Sequence, residues 1–532
     1  MAIKLLTSLA ICLALSSAVS ARDGKAVRRG NEALRNGDFE AAEKQFREAL
    51  TKDAHDDDAR LGLSHALLKR RKLQDAYDHA ARVILTNPLS ARAHALLGSV
   101  VLASGDFRDS VEEFRTALSI QENEAMAIAG LAMVDFYENR LDLAMKGLRR
   151  ATGIDPEEPD YIFNLGQTAA RSERYKEAAD AYERFLIIAP KTDEDRRARI
   201  RGLIDFLRYL GRQGALYVPT GESKMAMPFE SIDGRPILKV RVNGNRDPLR
   251  FVLDTGSGMS VISEETAKKL GLRPVARGGM ARAVGGGGKF EIVYGFLESL
   301  DLGGVRVESV PVYIRHFFDD KTPIDGYLGL SVISKFITSV DYGEHMFMLR
   351  RPKENFSKDL WGITISKGEV QPLAPGVLEI PLRTTSSGFL SGEVRLEGIE
   401  RPLNFIIDTG ASVSVVSERL ATEEDLSNYL EPTRMRIYGA AGIAEDVKSL
   451  LLPKVMLGPT SRERISAAVL DLEPVNETAG FSQNGILGSN FLRHFRVSFD
   501  FGRALIRLEP LARNAMGSDA LKPQEHMELQ PY

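Results

Sequence analysis

Cysteine is almost absent from this chain of 532 residues, since the only one is Cys12, inside the first apolar run. If that run is removed, the mature chain contains none, which excludes cysteine nucleophiles, disulfides, cysteine-ligated zinc and iron–sulfur clusters. An excess of one charge is also lacking, because 70 Lys and Arg stand against 73 Asp and Glu. A strongly basic nucleic-acid-binding surface is therefore not expected.

Histidine is scarce as well, and the eight histidines form no His-Glu-x-x-His pattern. His316 and His494 each stand in an Arg-His-Phe triplet, but without the spacing of metal ligands. Trp361 is the only tryptophan, and it lies in a segment where local packing is the simpler interpretation. The sequence thus predicts neither a metal site nor an organic cofactor.

The first 21 residues have the pattern of an export signal. Lys4 precedes an apolar run that ends at Val19, and the small residues Ser20 and Ala21 follow it. The run is shorter than the ~20 apolar residues of a spanning helix. We therefore predict a signal peptide over 1–21 and a periplasmic or secreted mature protein, with an uncleaved membrane anchor as the alternative. No later stretch is apolar enough to span a bilayer.

Residues of similar size recur every 34 positions after this run. We call one position in each 34-residue unit a phase. The residues of the first phase are small, those of a phase nine residues later are large and apolar, and those of a third phase are small again. The three sets are Gly30, Ser64, Gly98, Ala132 and Gly166; Phe39, Leu73, Phe107, Leu141 and Tyr175; and Ala42, Ala76, Ser110, Ala144 and Ala178. Small residues allow two helices to cross closely, and large ones fill the space between neighbouring units. Pro88, Pro156 and Pro190 fall near repeat ends, where proline stops a helix.

This pattern resembles the tetratricopeptide repeat family over five units at 23–192. The resemblance implies an all-α solenoid with a concave groove for a peptide or a protein partner, the alternatives being a rigid spacer or a self-docking arm. The amphipathic segment 193–212, with Ile200, Leu203 and Leu207, predicts a capping helix.

After Gly211 the pattern changes to short alternating runs separated by Gly and Pro, which is typical of β-structure. Two segments then match closely, PLRFVLDTGSGMSVIS at 248–263 and PLNFIIDTGASVSVVS at 402–417. Each is followed by a glycine-rich stretch, a strand ending in Leu-Gly, and a second Leu-Gly at Gly329 or Gly488. A complete half-domain is therefore duplicated.

The paired Asp-Thr-Gly segments resemble the aspartic protease superfamily, and the single-lobe details are most similar to the retropepsins. The resemblance covers roughly 225–510 and implies an all-β, two-lobed domain. We expect lobe 1 at 225–350, a linker at 351–376, lobe 2 at 377–510 and a polar tail at 511–532. Both lobes contain glycine-rich flap candidates, 285–288 in lobe 1 and 438–442 in lobe 2. Tyr438 is either a flap aromatic or an ordinary strand tyrosine.

The resemblance implies a catalytic dyad of Asp254 and Asp408. Two carboxyls held close together share one proton, so they supply a general base and a general acid to an attacking water. The supporting loop residues are expected to be Thr255, Gly256 and Ser257 in lobe 1, and Thr409, Gly410 and Ala411 in lobe 2. Each Thr is expected to hydrogen-bond the opposite loop, each Gly to permit a tight turn, and Ser257 to donate to Asp254.

The sequence thus predicts an exported aspartic endopeptidase that is monomeric for catalysis, acts on peptides or proteins, and has repeats that recruit a partner or substrate. One alternative is a non-catalytic scaffold with a protease-like cleft that holds peptides. Another is a scaffold whose function lies only in the repeats.

Overall fold

The computed structural model describes residues 24–286, 288–318, 323–352, 356–358, 364–366 and 378–511. The chain divides into two compact units, Met1–Gly211 and Arg212–Tyr532. The predicted signal peptide, most of the predicted linker with Trp361, and residues 512–532 of the predicted tail lie outside the described residues. Among the described residues, no helix is both long and apolar enough to cross a membrane.

The first unit is entirely helical over its described residues. Its helices are α1 (24–35), α2 (Phe39–Lys52), α3 (Asp57–Lys69), α4 (Leu73–Thr86), α5 (Ala91–Ser104), α6 (Phe107–Ile120), α7 (Ala125–Tyr137), α8 (Leu141–Ile154), α9 (Pro159–Arg171), α10 (Tyr175–Ile188) and α11 (Glu194–Leu210). Pro88, Pro156 and Pro190 each stand two residues after a helix ends, as predicted. The residue before a proline disfavours helical backbone, which explains where these helices stop.

Helix pairs in this unit pack by placing an aromatic ring against glycine. Phe46 of α2 lies so close to Gly30 of α1 and Gly62 of α3 that a Cβ atom at either glycine would overlap its ring. Phe114 of α6 packs in the same way between Gly98 and Gly130. The large residues of the predicted phase begin the second helix of each repeat, where Phe107 contacts Tyr137 of the next repeat with 5.8 Å between the ring centroids. A separate aromatic phase, 16 residues after the small one, makes the contacts with glycine.

The last helix, α11, begins with a side-chain cap. The Asp193 carboxylate accepts from the Arg196 N–H, and Glu194 adds an acidic residue to the first turn, where the helix dipole favours negative charge. Ile200, Ile204 and Leu207 pack with Tyr182 and Phe185 of α10. The apolar face of α11 therefore completes the core of the final repeat.

The second unit is β-rich and consists of two similar lobes. Lobe 1 contains β1 (Val218–Gly221), β2 (Lys224–Pro228), β3 (Glu230–Ile232), β4 (Arg235–Val242), β5 (Leu249–Leu253), β6 (Val261–Ser263), α12 (Glu264–Lys269), β7 (Ala276–Arg282), β8 (Lys289–Leu302), β9 (Val305–Arg315), β10 (Gly326–Leu328), α13 (Leu330–Ile333), β11 (Ile337–Asp341) and β12 (Met346–Arg350). The short strands β13 (Phe356–Lys358) and β14 (Thr364–Ser366) lie between the lobes in the sequence and pair with each other.

Lobe 2 repeats this order. It contains β15 (Leu378–Pro381), β16 (Arg383–Thr384), β17 (Leu390–Leu396), β18 (Leu403–Ile407), β19 (Ser414–Ser417), α14 (Glu418–Glu423), a 3₁₀ turn (Leu426–Tyr429), β20 (Leu430–Gly439), β21 (Gly442–Leu457), β22 (Thr460–Leu470), α15 (Glu473–Ala479), β23 (Gly485–Leu487), α16 (Ser489–Leu492), β24 (Phe495–Asp500) and β25 (Leu505–Pro510).

Strand pairing shows the duplication directly. In lobe 1, β10 runs parallel to β5 and antiparallel to β6, and in lobe 2, β23 runs parallel to β18 and antiparallel to β19. A separate six-stranded sheet, in the order β15-β25-β24-β11-β12-β2, takes strands from both lobes. The predicted fold class, a helical repeat region followed by a two-lobed β-rich region, is therefore confirmed.

Candidate active site

Asp254 and Asp408 each follow directly after a buried strand, β5 or β18. The Asp254 N–H donates to the Leu328 carbonyl at 3.0 Å, and the Asp408 N–H donates to the Leu487 carbonyl at 3.0 Å. Since Leu328 ends β10 and Leu487 ends β23, the paired strands fix where both aspartates leave their sheets. Equivalent strands thus position the two side chains in equivalent ways.

Thr255 and Thr409 link the two loops by a reciprocal set of hydrogen bonds. The Thr255 hydroxyl donates to the Ile407 carbonyl at 2.7 Å, and the Thr409 hydroxyl donates to the Leu253 carbonyl at 2.7 Å. Each hydroxyl also accepts the backbone N–H of the opposite threonine, at 3.1 and 3.0 Å. Both threonines are fully buried, so each lobe satisfies polar groups of the other.

The glycines after these threonines leave no room for a side chain, because the opposite aspartate carboxyl lies against each of them. A Cβ atom at Gly256 would overlap the Asp408 carboxyl, and one at Gly410 would lie 2.7 Å from an Asp254 carboxyl oxygen. The segments that contain these glycines form a turn in lobe 1 and a bend in lobe 2, and neither glycine has a positive φ there. Glycine also allows each carboxyl to approach the opposite loop.

The two carboxyl groups form a coupled pair. Burial raises the pKa of both, and a hydrogen bond between them, together with the charge of Asp408, raises the pKa of Asp254 well above its usual range. The Gly410 and Ala411 N–H groups donate to Asp408 Oδ1 at 2.7 and 3.1 Å, whereas Asp254 Oδ1 accepts from the Gly256 N–H at 2.8 Å. These bonds lower the pKa of Asp408 relative to that of Asp254, which favours Asp254 as the protonated member of the pair.

Ser257 does not serve the expected purpose. Its hydroxyl donates to the Met259 carbonyl at 2.6 Å rather than to Asp254, which corrects the prediction from sequence. The two aspartates are nevertheless inequivalent, because the backbone N–H of Ala411 bonds to Asp408. A sequence does not show the direction of a backbone N–H, so this donor could not be predicted.

Two β-hairpins approach each other through their tips. The first joins β7 to β8, the second joins β20 to β21, and both correspond to the glycine-rich flap candidates. A Cβ atom at Gly285 would lie 2.7 Å from the Gly439 Cα, and one at Gly288 would lie 2.7 Å from the Ala441 carbonyl oxygen. The hairpin tips therefore meet backbone to backbone, which only small residues permit.

Tyr438 stands next to the end of β20 and pairs with Ile443 of β21. The Arg436 guanidinium lies 5.4 Å from its ring centroid. The tyrosine is thus part of the second hairpin near its tip. Among the described residues, no group of three or more His, Cys, Asp or Glu side chains could hold a metal ion.

The helical unit holds a cluster of charges between distant repeats. Lys69 of α3 forms an ion pair with Asp160 of α9, 91 residues later in the chain. Burial and, to a smaller extent, the charge of Lys69 lower the pKa of the neighbouring His65 to about 3. Gly37 also contacts Pro190, since a Cβ atom at that glycine would lie 2.8 Å from the proline Cβ. The first and last repeats of this unit therefore touch.

The sequence profile of an aspartyl protease family matches residues 238–332 and 392–491, one stretch in each lobe. Two tetratricopeptide repeat profiles match residues 33–100 and 130–192. The second unit thus contains an aspartyl protease domain in two parts. The chain as a whole combines tetratricopeptide repeats with this domain, as the sequence predicted.

One curated protein and two solved structures are each similar to a part of the chain. Anaphase-promoting complex subunit 3 of Schizosaccharomyces pombe is 28% identical over 142 residues, 27% of this chain and 21% of that protein. A thermophilic TPR protein of Thermus thermophilus is 21% identical, with 34% of this chain and 98% of that chain covered and a TM-score of 0.30. The structure of Pseudomonas aeruginosa pilF is 15% identical, with coverage of 36% and 89% and a TM-score of 0.28. The chain thus spans about a fifth of the curated relative.

Proposed function

We propose that this protein is an exported aspartic endopeptidase in which Asp254 and Asp408 are the catalytic pair. The observation that carries the proposal is the coupled carboxyl pair held at the junction of two equivalent loops. Asp254 and Asp408 are half-buried as residues, so neither is sealed into the core. Export is proposed from the signal-like segment 1–21 alone.

The inequivalence of the pair suggests how each carboxyl acts. Ionised Asp408 accepts a proton from a water molecule as the water oxygen attacks the peptide carbonyl carbon, while Asp254 gives its proton to the carbonyl oxygen. The tetrahedral diol then collapses, the C–N bond breaks, and a proton from the pair reaches the leaving nitrogen. One water is consumed, an acid and an amine are released, and the pair regains its single shared proton.

The hairpin tips give this mechanism a means of excluding bulk water. Their backbone contact would have to open for a polypeptide to enter and close again over the bound chain. Within a closed cleft the carboxyl charges act in a medium of lower dielectric constant, where their interactions are stronger. A single chain supplies both lobes, so we propose that the monomer is the active form.

The repeats are proposed to recruit a protein partner or substrate. Stacked helical repeats form extended concave surfaces, and a second contact raises the effective concentration of a bound substrate at the cleft. The Lys69–Asp160 ion pair links α3 to α9, so a ligand entering between these helices would have to displace it. A charged ligand that competes for Lys69 or Asp160 would therefore regulate binding to the repeats.

The proposal is tested by incubating the purified full-length protein with a broad peptide library over a series of pH values. The matched control is the variant with both Asp254→Asn and Asp408→Asn, which keeps nearly the same side-chain shape. Cleavage by the wild type alone supports the proposal. Peptide binding by both proteins without cleavage by either would instead indicate a scaffold that holds peptides.

A further inference from the structure

Arg315 ends strand β9 at a position where the two lobes differ. Its Cα is paired with that of Ser263 in the parallel β6–β9 ladder. The same ladder in lobe 2 pairs Ser417 with Leu470. Since Ser263 and Ser417 each close the repeated Asp-Thr-Gly segment, Arg315 and Leu470 occupy equivalent places in the two lobes.

The Arg315 side chain lies between the two hairpins. Its guanidinium carbon is 3.7 Å from the centroid of Phe290 on β8, and one of its nitrogens donates to the Ala440 carbonyl at the tip of the opposite hairpin. Burial lowers the pKa of Arg315, and the charge of Asp254 acts on it in the opposite direction. A half-buried cation thus lies at the hairpin tips, where its charge interacts with that of Asp254.

The equivalent place in lobe 2 is apolar. Leu470 is buried and belongs to a cluster with Val415, Val447 and Leu472. Val284, from the tip of the first hairpin, packs against this cluster. Each hairpin tip therefore crosses to the opposite lobe, where one meets an arginine and the other meets an apolar surface.

We propose that Arg315 forms a carboxylate-binding subsite of the cleft, so that the preferred substrate places a Glu or Asp side chain against lobe 1. The pseudo-equivalent position on the other side of the scissile bond then takes an apolar side chain against Leu470. This inference rests on the proposed function, and it names the substrate class that the same site selects.

The guanidinium group suits this purpose because its fork of N–H donors matches a carboxylate in geometry and charge. In the closed arrangement one nitrogen is bonded to Ala440, and that bond is released when the second hairpin lifts. A substrate carboxylate can then take the place of the carbonyl oxygen. The arginine also offsets the negative charge of the catalytic pair, which would otherwise repel an acidic side chain.

The test moves a single Glu, or its uncharged isostere Gln, through the positions on both sides of the bond in a peptide that the full-length enzyme cleaves. A hydrogen bond to a charged group corresponds to about a ten- to hundred-fold effect. We expect kcat/KM at one position to favour Glu over Gln by that factor. Arg315→Leu, which copies lobe 2, removes the preference while the apolar parent peptide is still cleaved. Arg315→Lys retains a smaller preference because a point charge remains.

Arg306→Leu is the matched control, because Arg306 lies exposed on the same strand with Glu308 as a neighbour at 3.7 Å. It should leave the Glu preference intact. Equal cleavage of Glu and Gln peptides at every position, or a Glu preference that survives Arg315→Leu, overturns the subsite.

A second readout separates this inference from the proposed function. Binding of the same Glu and Gln peptides to the Asp408→Asn variant, followed by fluorescence anisotropy, does not depend on turnover. If no peptide is cleaved by any variant but Glu peptides bind more tightly and lose that advantage with Arg315→Leu, the subsite holds and the endopeptidase proposal fails. If binding shows no such difference, the subsite is wrong whatever the cleavage result.

Discussion

Ser339 and Ser498 bond to each other through their hydroxyl groups at 2.6 Å, and they are the same residue of the two lobes. They face each other in the β11–β24 ladder and lie 159 positions apart (498 − 339), the same separation as Gly326 of β10 from Gly485 of β23. A residue that pairs with its own equivalent lies on a pseudo-two-fold axis. The axis that relates Asp254 to Asp408 thus passes through one sheet shared by both lobes.

This shared sheet predicts that activity does not depend on protein concentration. Both halves of the site come from one chain, so no association step precedes catalysis. Specific activity should stay constant on serial dilution while light scattering reports the mass of a single chain. A fall in specific activity that follows the dissociation of a dimer would contradict this account.

The reciprocal threonine bonds predict that substituting Thr255 or Thr409 lowers the free energy of unfolding by the same amount. Thr255→Val leaves the Ile407 carbonyl and the Thr409 N–H without this partner, and Thr409→Val does the same to Leu253 and Thr255. At ~1–3 kcal/mol for each of the two unsatisfied buried groups, we expect each variant to lose roughly 2–6 kcal/mol of unfolding free energy.

Urea denaturation of both variants beside Thr433→Val, an exposed position on β20, measures this effect. Thr→Ser at either buried position should restore most of the stability, because the hydroxyl returns. A loss confined to one of the two threonines would show that the bonds are not equivalent in energy.

The raised pKa values predict that the Asp254–Asp408 pair lowers the free energy of unfolding at neutral pH. Below the unfolded-state pKa of about 3.9, the carboxyls are protonated whether the chain is folded or not. As pH rises, the unfolded chain loses its protons first, so folded stability falls until pH passes the raised pKa values of the pair. Asp254→Asn removes one of these groups.

The melting temperature of Asp254→Asn should therefore exceed that of the wild type by several degrees at pH 7, and the difference should shrink toward pH 3.5. Asp325→Asn is a control outside the pair, because Asp325 accepts from the Thr266 hydroxyl and the Arg250 N–H. A pH-independent difference for Asp254→Asn would argue against a pKa raised by burial and by Asp408.

Several features of this site were predictable before the structure, and others depend on tertiary geometry. The duplicated Asp-Thr-Gly segments pointed to both aspartates, and the family resemblance that these segments carry implied the threonine bonds. The role of the Ala411 N–H and the Ser257 bond to Met259 depend on backbone direction and rotamer choice, which leave no sequence pattern. The sequence contains both Arg315 and Leu470, but only the strand register shows that they occupy equivalent positions in the two lobes.

The repeat sequences also contain a pairing of small with aromatic residues that the small residues alone do not show. Phe46, Phe114 and Tyr182 follow Gly30, Gly98 and Gly166 by 16 positions each, and the glycine of each pair faces the ring. This covariation of small with aromatic residues could have been found by reading the phases together. The Lys69–Asp160 pair could not, since it depends on how the repeats curve.

The repeats should matter for protein substrates and not for short peptides. A variant lacking residues 1–212 is expected to keep the kcat/KM of the full-length protein on a short peptide but to lose efficiency on natural protein substrates. The reason is that a short peptide cannot reach a second binding surface. Clearly higher activity of the truncated form on the short peptide would favour autoinhibition by the repeats over recruitment.

The central claim is that the two aspartates act as one unit. The most direct measurement is kcat on one cleaved peptide for Asp254→Asn, Asp408→Asn and the double variant, with folding checked by circular dichroism. Because neither carboxyl has a function without the other, each single variant should lose nearly as much activity as the double variant. A single variant that stays folded and retains wild-type turnover would contradict the shared-proton mechanism.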